Sequence, residues 1–378
     1  MLKRLRLLTA VILLAVLWTG CNSSVQRKNT NDSSPPNSVL EINDSDWELK
    51  LVHRFKIGEK RWRVRCNSDN LCWAWTQHSI MISESPSSWR DFYSLPSDRI
   101  SKTRIDSVFI QTPSIAWTVQ NSELYKTQDG ARSWDRVVIS NIEGTESSVQ
   151  DIFFNKDHGQ AVGGRFQPLA KNDPLINTEL REGHIRTAFI LETEDGVSWK
   201  YLQIPRLIGA LTELDYWDKT LGVASSRNNL LVTTDQGKTW TDMSKYFPTV
   251  ESERGSFASG FFKDSDMGWL LFVGFDFETY FTDNMGKTWS KAVWKLDSHI
   301  NDTSSFPPPP RFAFVDAARG LFVYGNSMGG ELFKTSDGGK TWAQIKSPDE
   351  TFSDVVFNKG GAGFIVSDRG IYRVDPKQ

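Results

Sequence analysis

The sequence contains few of the residues that build metal and redox centres. Only 5 His and 3 Cys occur among its 378 residues, too few for a transition-metal site with several protein ligands. An excess of basic charge is also lacking, because 44 Lys and Arg stand against 46 Asp and Glu. Since nucleic acids are normally bound by clustered basic surfaces, no nucleic-acid partner is expected. We likewise expect no metal and no cofactor.

No apolar run is long enough to cross a bilayer comfortably. The run at residues 7–18 is almost entirely apolar and follows the positive residues Lys3, Arg4 and Arg6. This pattern is typical of a secretory signal peptide, which is removed from the mature protein. Its removal leaves a net charge of −5.

Aromatic residues, in contrast, are abundant. The chain has 15 Trp and 23 Phe, and 39% of its residues are hydrophobic. That much aromatic surface must be buried, which excludes a disordered protein. The length is sufficient for one large domain or two ordinary ones.

The predicted signal peptide ends at a cysteine. Residues 18–21 read Trp-Thr-Gly-Cys and resemble the cleavage box of bacterial lipoproteins, although Trp18 replaces the usual aliphatic residue. A lipid on Cys21 would hold the protein on a membrane surface. The alternatives are an ordinary cleaved signal and an uncleaved anchor.

A polar segment rich in Ser and Asn follows the cysteine, and a flexible coil of that length reaches roughly 25–30 Å. The sequence therefore predicts a signal peptide at 1–20, a flexible tether at 21–46 and a folded domain at 47–378. The predicted location is the extracytoplasmic side of a bacterial envelope membrane, inner or outer.

Two cysteines remain for the folded domain. Cys66 and Cys72 are close in sequence, and an oxidising compartment favours a local disulfide between them. Free thiols are one alternative. A metal site is another, but two cysteines alone make a poor one.

One motif, T-x-D-x-G-x-T-W, recurs along the folded domain. Its clearest copies are at residues 233–240 and 335–342, and the copy at 282–289 contains one register slip. The tryptophans that end the copies are Trp89, Trp134, Trp199, Trp240, Trp289 and Trp342, at spacings of 45, 65, 41, 49 and 53 residues. Periods near 40–50 residues indicate a propeller or a solenoid.

This motif resembles the Asp-box, or BNR repeat, of β-propellers. In such turns the Asp binds nearby backbone amides and the Gly adopts a positive φ. The resemblance gives the box aspartates a structural role, and they are Asp129, Asp195, Asp235, Asp283 and Asp337.

Seven units are counted from a second pattern, in which two apolar strands flank a polar turn and a Gly. The seventh unit lacks its outer strand, and the segment around Trp47 has the character of the missing piece. An N-terminal strand that closes the last blade would remove the open edge of the ring. We therefore predict an all-β fold, a seven-bladed propeller of Asp-box repeats, with six or eight blades as alternatives.

Function is expected on the face opposite the box turns, where the loops are long. The third unit carries an additional segment at residues 164–186, and the starts of the inner strands bring charges, together with Ser259, to the channel rim. The candidate partner-binding residues are Arg63, Asp106, Asp151, Arg165, Lys171, His184, Arg186, Asp215, Arg311 and Asp354. The alternatives are rim charges that satisfy one another and an insertion without function.

The boxes, the predicted lipid anchor and the N-terminal closure together resemble the photosystem II assembly and stability factor family. The resemblance implies a non-catalytic propeller that binds a protein partner and assists assembly of a membrane complex. A sialidase-like glycosidase is the first alternative, with Asp106, Asp151 or Asp354 as its carboxylates. Glycan binding through Tyr216, Trp217 or Trp294 is the second.

Overall fold

A computed structural model describes most of the predicted domain and consists almost entirely of β-strands. The described residues are 41–56, 61–67, 70–139, 146–156, 158–168, 184–216, 220–226, 229–247, 256–262, 266–273, 277–295, 311–325, 330–346 and 351–377. Cys21, Lys171, Trp217 and most of the predicted tether lie outside these ranges. None of the helices within them has the length and apolar composition needed to cross a bilayer.

The strands run in chain order as follows. The N-terminal strands are β1 (Glu41–Asn43) and β2 (Trp47–Arg54). Blade 1 contains β3 (Arg63–Cys66), β4 (Cys72–Trp75), β5 (Ser79–Ser85) and β6 (Ser88–Ser94). Blade 2 contains β7 (Ile105–Ile110), β8 (Ala116–Gln120), β9 (Glu123–Thr127) and β10 (Asp135–Arg136). Blade 3 contains β11 (Ser147–Asn155), β12 (His158–Pro168), β13 (His184–Thr193) and β14 (Lys200–Tyr201).

Blade 4 contains β15 (Glu213–Tyr216), β16 (Gly222–Ser226), β17 (Asn229–Thr233) and β18 (Thr241–Asp242), and a 3₁₀ turn follows at Ser244–Tyr246. Blade 5 contains β19 (Ser256–Phe262), β20 (Gly268–Val273), β21 (Phe277–Thr282) and β22 (Ser290–Lys291). Blade 6 contains β23 (Val293–Lys295), β24 (Arg311–Phe314), β25 (Gly320–Gly325), β26 (Gly330–Thr335) and β27 (Thr341–Ile345). Blade 7 contains β28 (Phe352–Phe357), β29 (Gly363–Ser367) and β30 (Gly370–Pro376), and β1 and β2 complete it.

The blades form a closed ring, and the predicted seven-bladed propeller is confirmed. In each blade the inner strand pairs antiparallel with the second, the second with the third and the third with the outer strand. Strand β2 is the outer strand of blade 7, where it pairs antiparallel with β30 from Trp47 opposite Pro376. Strand β1 adds a fifth strand outside β2, so the folded part begins at Glu41 and not at residue 47.

Packing between the blades explains the burial of the second strands. Strands β4, β8, β16 and β29 are buried along their whole length, because neighbouring blades cover both of their faces. Large aromatic rings fill the space between blades. Trp269 of blade 5 stacks on Phe314 of blade 6 at a centroid distance of 3.7 Å.

The turns between third and outer strands have a repeated hydrogen-bond pattern. In blade 6, the Asp337 carboxylate accepts bonds from the amide and the hydroxyl of Thr341 at 2.8 and 2.7 Å. The Thr335 hydroxyl accepts the Gly339 amide at 2.9 Å. Gly339 has a φ of +80°, and a Cβ there would lie 2.2 Å from the Trp269 indole nitrogen. The equivalent aspartates of the other copies are Asp129, Asp195 and Asp235.

The copy at residues 282–289 differs from the prediction. Here Asn284, and not Asp283, accepts the Thr288 amide through its side-chain oxygen at 3.0 Å. The side-chain nitrogen of Asn284 donates to the Thr288 hydroxyl at 2.6 Å. The copy therefore has no register slip, because a neutral amide simply occupies the position of the usual carboxylate.

A disulfide joins Cys66 and Cys72, which face each other across the first hairpin of blade 1. Two asparagines of the loop between the cysteines form hydrogen bonds to the neighbouring blades. The Asn67 side chain donates to the Ile110 carbonyl of blade 2 at 3.1 Å. The Asn70 side chain accepts the Gly360 amide of blade 7 at 3.0 Å. The disulfide loop thus connects three consecutive blades.

The closing strand β2 offers a test of its role in stability. Leu49 is fully buried among residues of blades 6 and 7, whereas Lys50 beside it is exposed. We expect Leu49→Ala to lower the free energy of unfolding by about 2–5 kcal/mol, since it leaves a cavity in the core. Lys50→Ala should change it by about 0.5 kcal/mol or less. Denaturant titration of both variants checks this, and equal effects would contradict a closing role for the strand.

Candidate functional site

The inner strands place one residue from each blade at the same level of the central channel. In five blades the first or second residue of the second strand is a Gly, and the ring residue lies three positions before the inner-strand residue that pairs with this Gly. Cys72 and Ala116 take the place of the Gly in blades 1 and 2. We call these residues the channel ring, and they are Arg63, Ser107, Asp151, Glu213, Ser259, Arg311 and Asp354. Four charged residues predicted at the rim do occupy the ring, namely Arg63, Asp151, Arg311 and Asp354. The backbone of Ser259 also lies at the ring position, as predicted.

Two of the predicted rim residues lie elsewhere. A β-bulge shifts the register between Ile105 and Ser107, so Ser107 takes the ring position and Asp106 does not. Asp106 instead pairs with the exposed Arg104 at 2.6 Å. In blade 4 the ring residue is Glu213, which the sequence reading missed, and Asp215 lies two residues farther along the strand.

Asp151 is the most heavily bonded side chain of the ring. One carboxylate oxygen accepts the Arg65 guanidinium at 3.3 Å and its neighbour's amide, that of Ile152, at 2.9 Å. The same oxygen accepts the Ser107 hydroxyl of blade 2. The other oxygen accepts Arg65 at 3.0 Å and the Leu214 amide of blade 4 at 2.9 Å. Asp151 therefore links blades 1, 2, 3 and 4.

A second group of charges links the remaining side of the channel. Arg311 of blade 6 makes two bonds to Glu213 of blade 4, at 2.9 and 3.1 Å. Its Nε lies 3.8 Å from Asp354 of blade 7. Asp354 also accepts the Val64 amide of blade 1 at 3.1 Å. Together with Asp151, these contacts form a circuit through six blades, which we call the channel belt.

Burial and the charges of the channel belt shift the pKa values of the carboxyl groups in the channel. Burial alone would raise the pKa of Asp151, but the charge and the hydrogen bonds of Arg65 outweigh burial and hold this pKa below its usual value. Burial raises the pKa of Asp354 and that of Asp215, although Arg311 and Arg65, respectively, oppose the shift. Because the oxygens of Asp151 are all engaged by donors from the protein, they are not available to a substrate.

The additional segment of blade 3 begins as an extension of the sheet. Strands β12 and β13 stay paired as far as Pro168 opposite His184, on the face where the inner strands begin. Residues 169–183 lie outside the described part. The described base of the segment is thus a two-stranded ribbon that extends above the channel ring.

Two arginines occupy this ribbon, each beside an aromatic ring. The Arg165 guanidinium lies 4.6 Å from the ring centre of Tyr201, and that of Arg186 lies 5.8 Å from Phe166. Arg186 also donates to the Ser148 hydroxyl. Burial lowers the pKa of Arg186. The Nε–H groups of both arginines are buried and donate to no acceptor among the described residues. His184 is exposed at the end of the ribbon.

Two of the three aromatic residues considered for sugar stacking, Tyr216 and Trp294, pack against the core, and Trp217 lies outside the described residues. Trp294 stacks on Trp342 at 5.7 Å and donates its indole N–H to the Thr279 hydroxyl at 2.8 Å. Tyr216 packs on Phe153 at 4.9 Å and donates its hydroxyl to Gln160. Both residues are therefore packing residues. Within the described ranges, no three His, Cys, Asp or Glu side chains are close enough to hold a metal ion.

Comparison with known proteins agrees with this geometry. No family model matches the chain. The photosystem II assembly lipoprotein Ycf48 of Trichormus variabilis is 24% identical over 299 residues, which cover 71% of this chain and 81% of that protein. The photosystem II assembly protein Ycf48 of a Synechococcus strain is 25% identical over 289 residues, covering 68% and 81%. The chain thus resembles the photosystem II assembly factor family, as predicted.

Solved structures show the same fold at lower identity. A structure described as YCF48 bound to D1 peptide superposes with a TM-score of 0.57 at 16% identity, covering 90% of this chain and all of that one. A GH74 xyloglucanase from Xanthomonas campestris gives a TM-score of 0.53 at 11% identity, covering 86% of this chain and 53% of that enzyme. At these identities the likeness concerns the propeller fold alone.

The channel belt predicts a large effect from one small substitution. Asp151→Asn leaves the shape unchanged but removes the charge that faces buried Arg65, and we expect a loss of about 3–5 kcal/mol of unfolding free energy. Asp106→Asn changes a side chain that pairs with the exposed Arg104 and accepts the Ser122 amide at 3.3 Å, and it should cost about 1 kcal/mol or less. Urea denaturation of both variants provides the measurement.

The same substitution should change the pH dependence of stability. Since the pKa of Asp151 is lowered in the folded state, its contribution is complete above the ordinary pKa of about 3.9 and is lost as the pH falls below it. The difference in unfolding free energy between wild type and Asp151→Asn should therefore be constant near neutral pH and should become smaller in acid. A difference independent of pH down to the acid limit of folding would contradict this assignment.

Proposed function

We propose that this protein is a non-catalytic binding propeller that holds a segment of a protein partner and assists assembly of a membrane complex. The partner lies on the face that carries the ribbon and the channel ring. The observation that carries the proposal is the ribbon of blade 3, which presents Arg165 and Arg186 on that face. Extended segments with acidic or backbone acceptor groups fit such guanidinium groups.

The similar proteins support a partner of this kind. The curated relatives are named photosystem II assembly proteins, and the structure with the YCF48 fold contains a peptide of D1. We extend from them only the class of function, which is binding of a segment of a membrane protein during assembly. The rigid ring of the propeller suits this role, because it presents loops and ribbons on a scaffold that does not itself change shape.

Hydrolysis is the weaker interpretation. A glycosidase needs two carboxylates that can reach the substrate at a fixed separation. Asp151 is saturated by donors, Asp354 is buried against Val64 and Val355 amides, and Asp106 lies outside the ring. The likeness to the GH74 enzyme concerns the fold alone.

We further propose that a lipid on Cys21 anchors the protein at the extracytoplasmic surface of a bacterial envelope membrane. The support is the signal-like sequence before Cys21 and the name of one relative, which is a lipoprotein. The segment between Cys21 and strand β1 at Glu41 would then set the distance of the propeller from the membrane.

The binding face can be tested by affinity capture from detergent-solubilised membranes. We expect the double variant Arg165→Gln, Arg186→Gln to reduce recovery of a discrete partner by about tenfold or more, equivalent to roughly 1.4 kcal/mol. The matched control is Lys238→Gln, Lys287→Gln, which removes the same charge from exposed box turns on the opposite face. Undiminished recovery with the ribbon variant, or no discrete partner with wild type, would contradict the proposal.

The anchor can be tested by metabolic labelling with radioactive palmitate. Wild type should incorporate label and sediment with membranes, and Cys21→Ser should do neither, since the acyl chains supply the membrane affinity. Ser23→Ala is the control and should behave as wild type. Label retained in Cys21→Ser would contradict lipidation at this residue.

A further inference from the structure

One guanidinium of the channel has no hydrogen-bond or ion-pair partner among the residues that the structure describes. Arg65 makes two bonds to Asp151, and Arg311 makes two bonds to Glu213. Arg63, at the ring position of blade 1, makes no hydrogen bond or ion pair with any residue in the described part of the chain. As a whole, the residue is only partly buried.

The charges that act on Arg63 place its guanidinium inside the channel. Burial lowers the pKa of Arg63, and the positive charge of Arg311 from blade 6 lowers it further. Glu213 of blade 4, Asp354 of blade 7 and Asp151 of blade 3 act in the opposite direction. Side chains of four other blades can influence one group only if it lies near the axis that they share. This agrees with the position of Arg63 in the channel ring.

We propose that Arg63 is a binding site for a single carboxylate that enters the channel from the ribbon face. A carboxylate matches the planar guanidinium, which can donate two parallel hydrogen bonds to it. A phosphate dianion fits less well, because the acidic residues of the belt repel a second negative charge. Asp151 already binds Arg65, and Arg311 already binds Glu213. None of these contacts uses Arg63, so a carboxylate can bind Arg63 without displacing them.

The carboxylate has two sources of the same chemistry. One is a partner protein, through an acidic side chain or its chain end, and in that case the site rests on the proposed function. The other is a small organic acid. In either case Arg63 is a site within the channel, separate from the ribbon arginines Arg165 and Arg186.

The test is an NMR titration of the full domain labelled at arginine side chains. The Arg63 resonance is assigned by its absence in Arg63→Gln. The probes are sodium acetate, N-acetylglycylglycine and the C-terminal amide of that dipeptide, each compared with sodium chloride at equal ionic strength. We expect the two carboxylates to shift the Arg63 resonance to saturation, with a Kd on the order of 1–10 mM. The amide should leave it unchanged.

The outcomes distinguish a small organic acid from the chain end of a partner protein. They also distinguish the proposal for Arg63 from the proposal for the ribbon. Saturation with both acids supports a site open to small acids, and saturation with the dipeptide acid alone supports a chain-end site. No shift beyond that of chloride, or an equal shift with the amide, overturns the proposal. Arg136, which pairs with Glu123 on the surface at 3.0 Å, is the internal control. Capture of a partner through the ribbon is read independently, so either proposal can fail while the other stands.

Discussion

The channel depends on the hydrogen bonds that the Asp151 carboxylate accepts. It accepts bonds from a guanidinium, a hydroxyl and two backbone amides, and these donors belong to four blades. A buried carboxylate is stable only when its oxygens are satisfied in this way. The ring position of blade 7 repeats part of the device, because Asp354 likewise accepts its neighbour's amide and an amide from the next blade.

This arrangement divides the molecule into a rigid centre and a variable face. The belt connects the inner strands of six blades, whereas the box turns connect the third and outer strands at the other end of blades 2 to 6. The guanidinium groups that neither system engages include that of Arg165 on the ribbon of blade 3 and that of Arg63 in the channel ring. In Asp151, both carboxylate oxygens are engaged by donors from the protein.

Much of the fold was predictable because its signals are local. The box motif predicts each turn between third and outer strands, and the unpaired seventh unit predicts the closing strand at Trp47. Cys66 and Cys72 were likewise predictable as a pair. One failure of the sequence reasoning came from a single-residue feature of the backbone. The bulge at Asp106 moved Ser107 into the ring, and nothing in the sequence around it signals a bulge.

The candidate site was predictable only in part, for a related reason. The position of charges on inner strands follows from register, so Arg63, Asp151, Arg311 and Asp354 were found. Which of them pair across the channel depends on the geometry of the whole ring, and a sequence does not contain those distances. The exchange of Asp283 for Asn284 shows the same limit on a smaller scale, since amide and carboxylate oxygens accept equally well.

The closing strand also determines when folding of the propeller can be completed. Trp47 pairs with Pro376, so the contact that seals the ring joins residues separated by almost the entire domain. Contacts of such long range form late, since the chain between them must first be ordered. Until β30 has formed, strand β2 lacks the partner that it has in the folded protein. An unpaired strand edge of this kind favours aggregation.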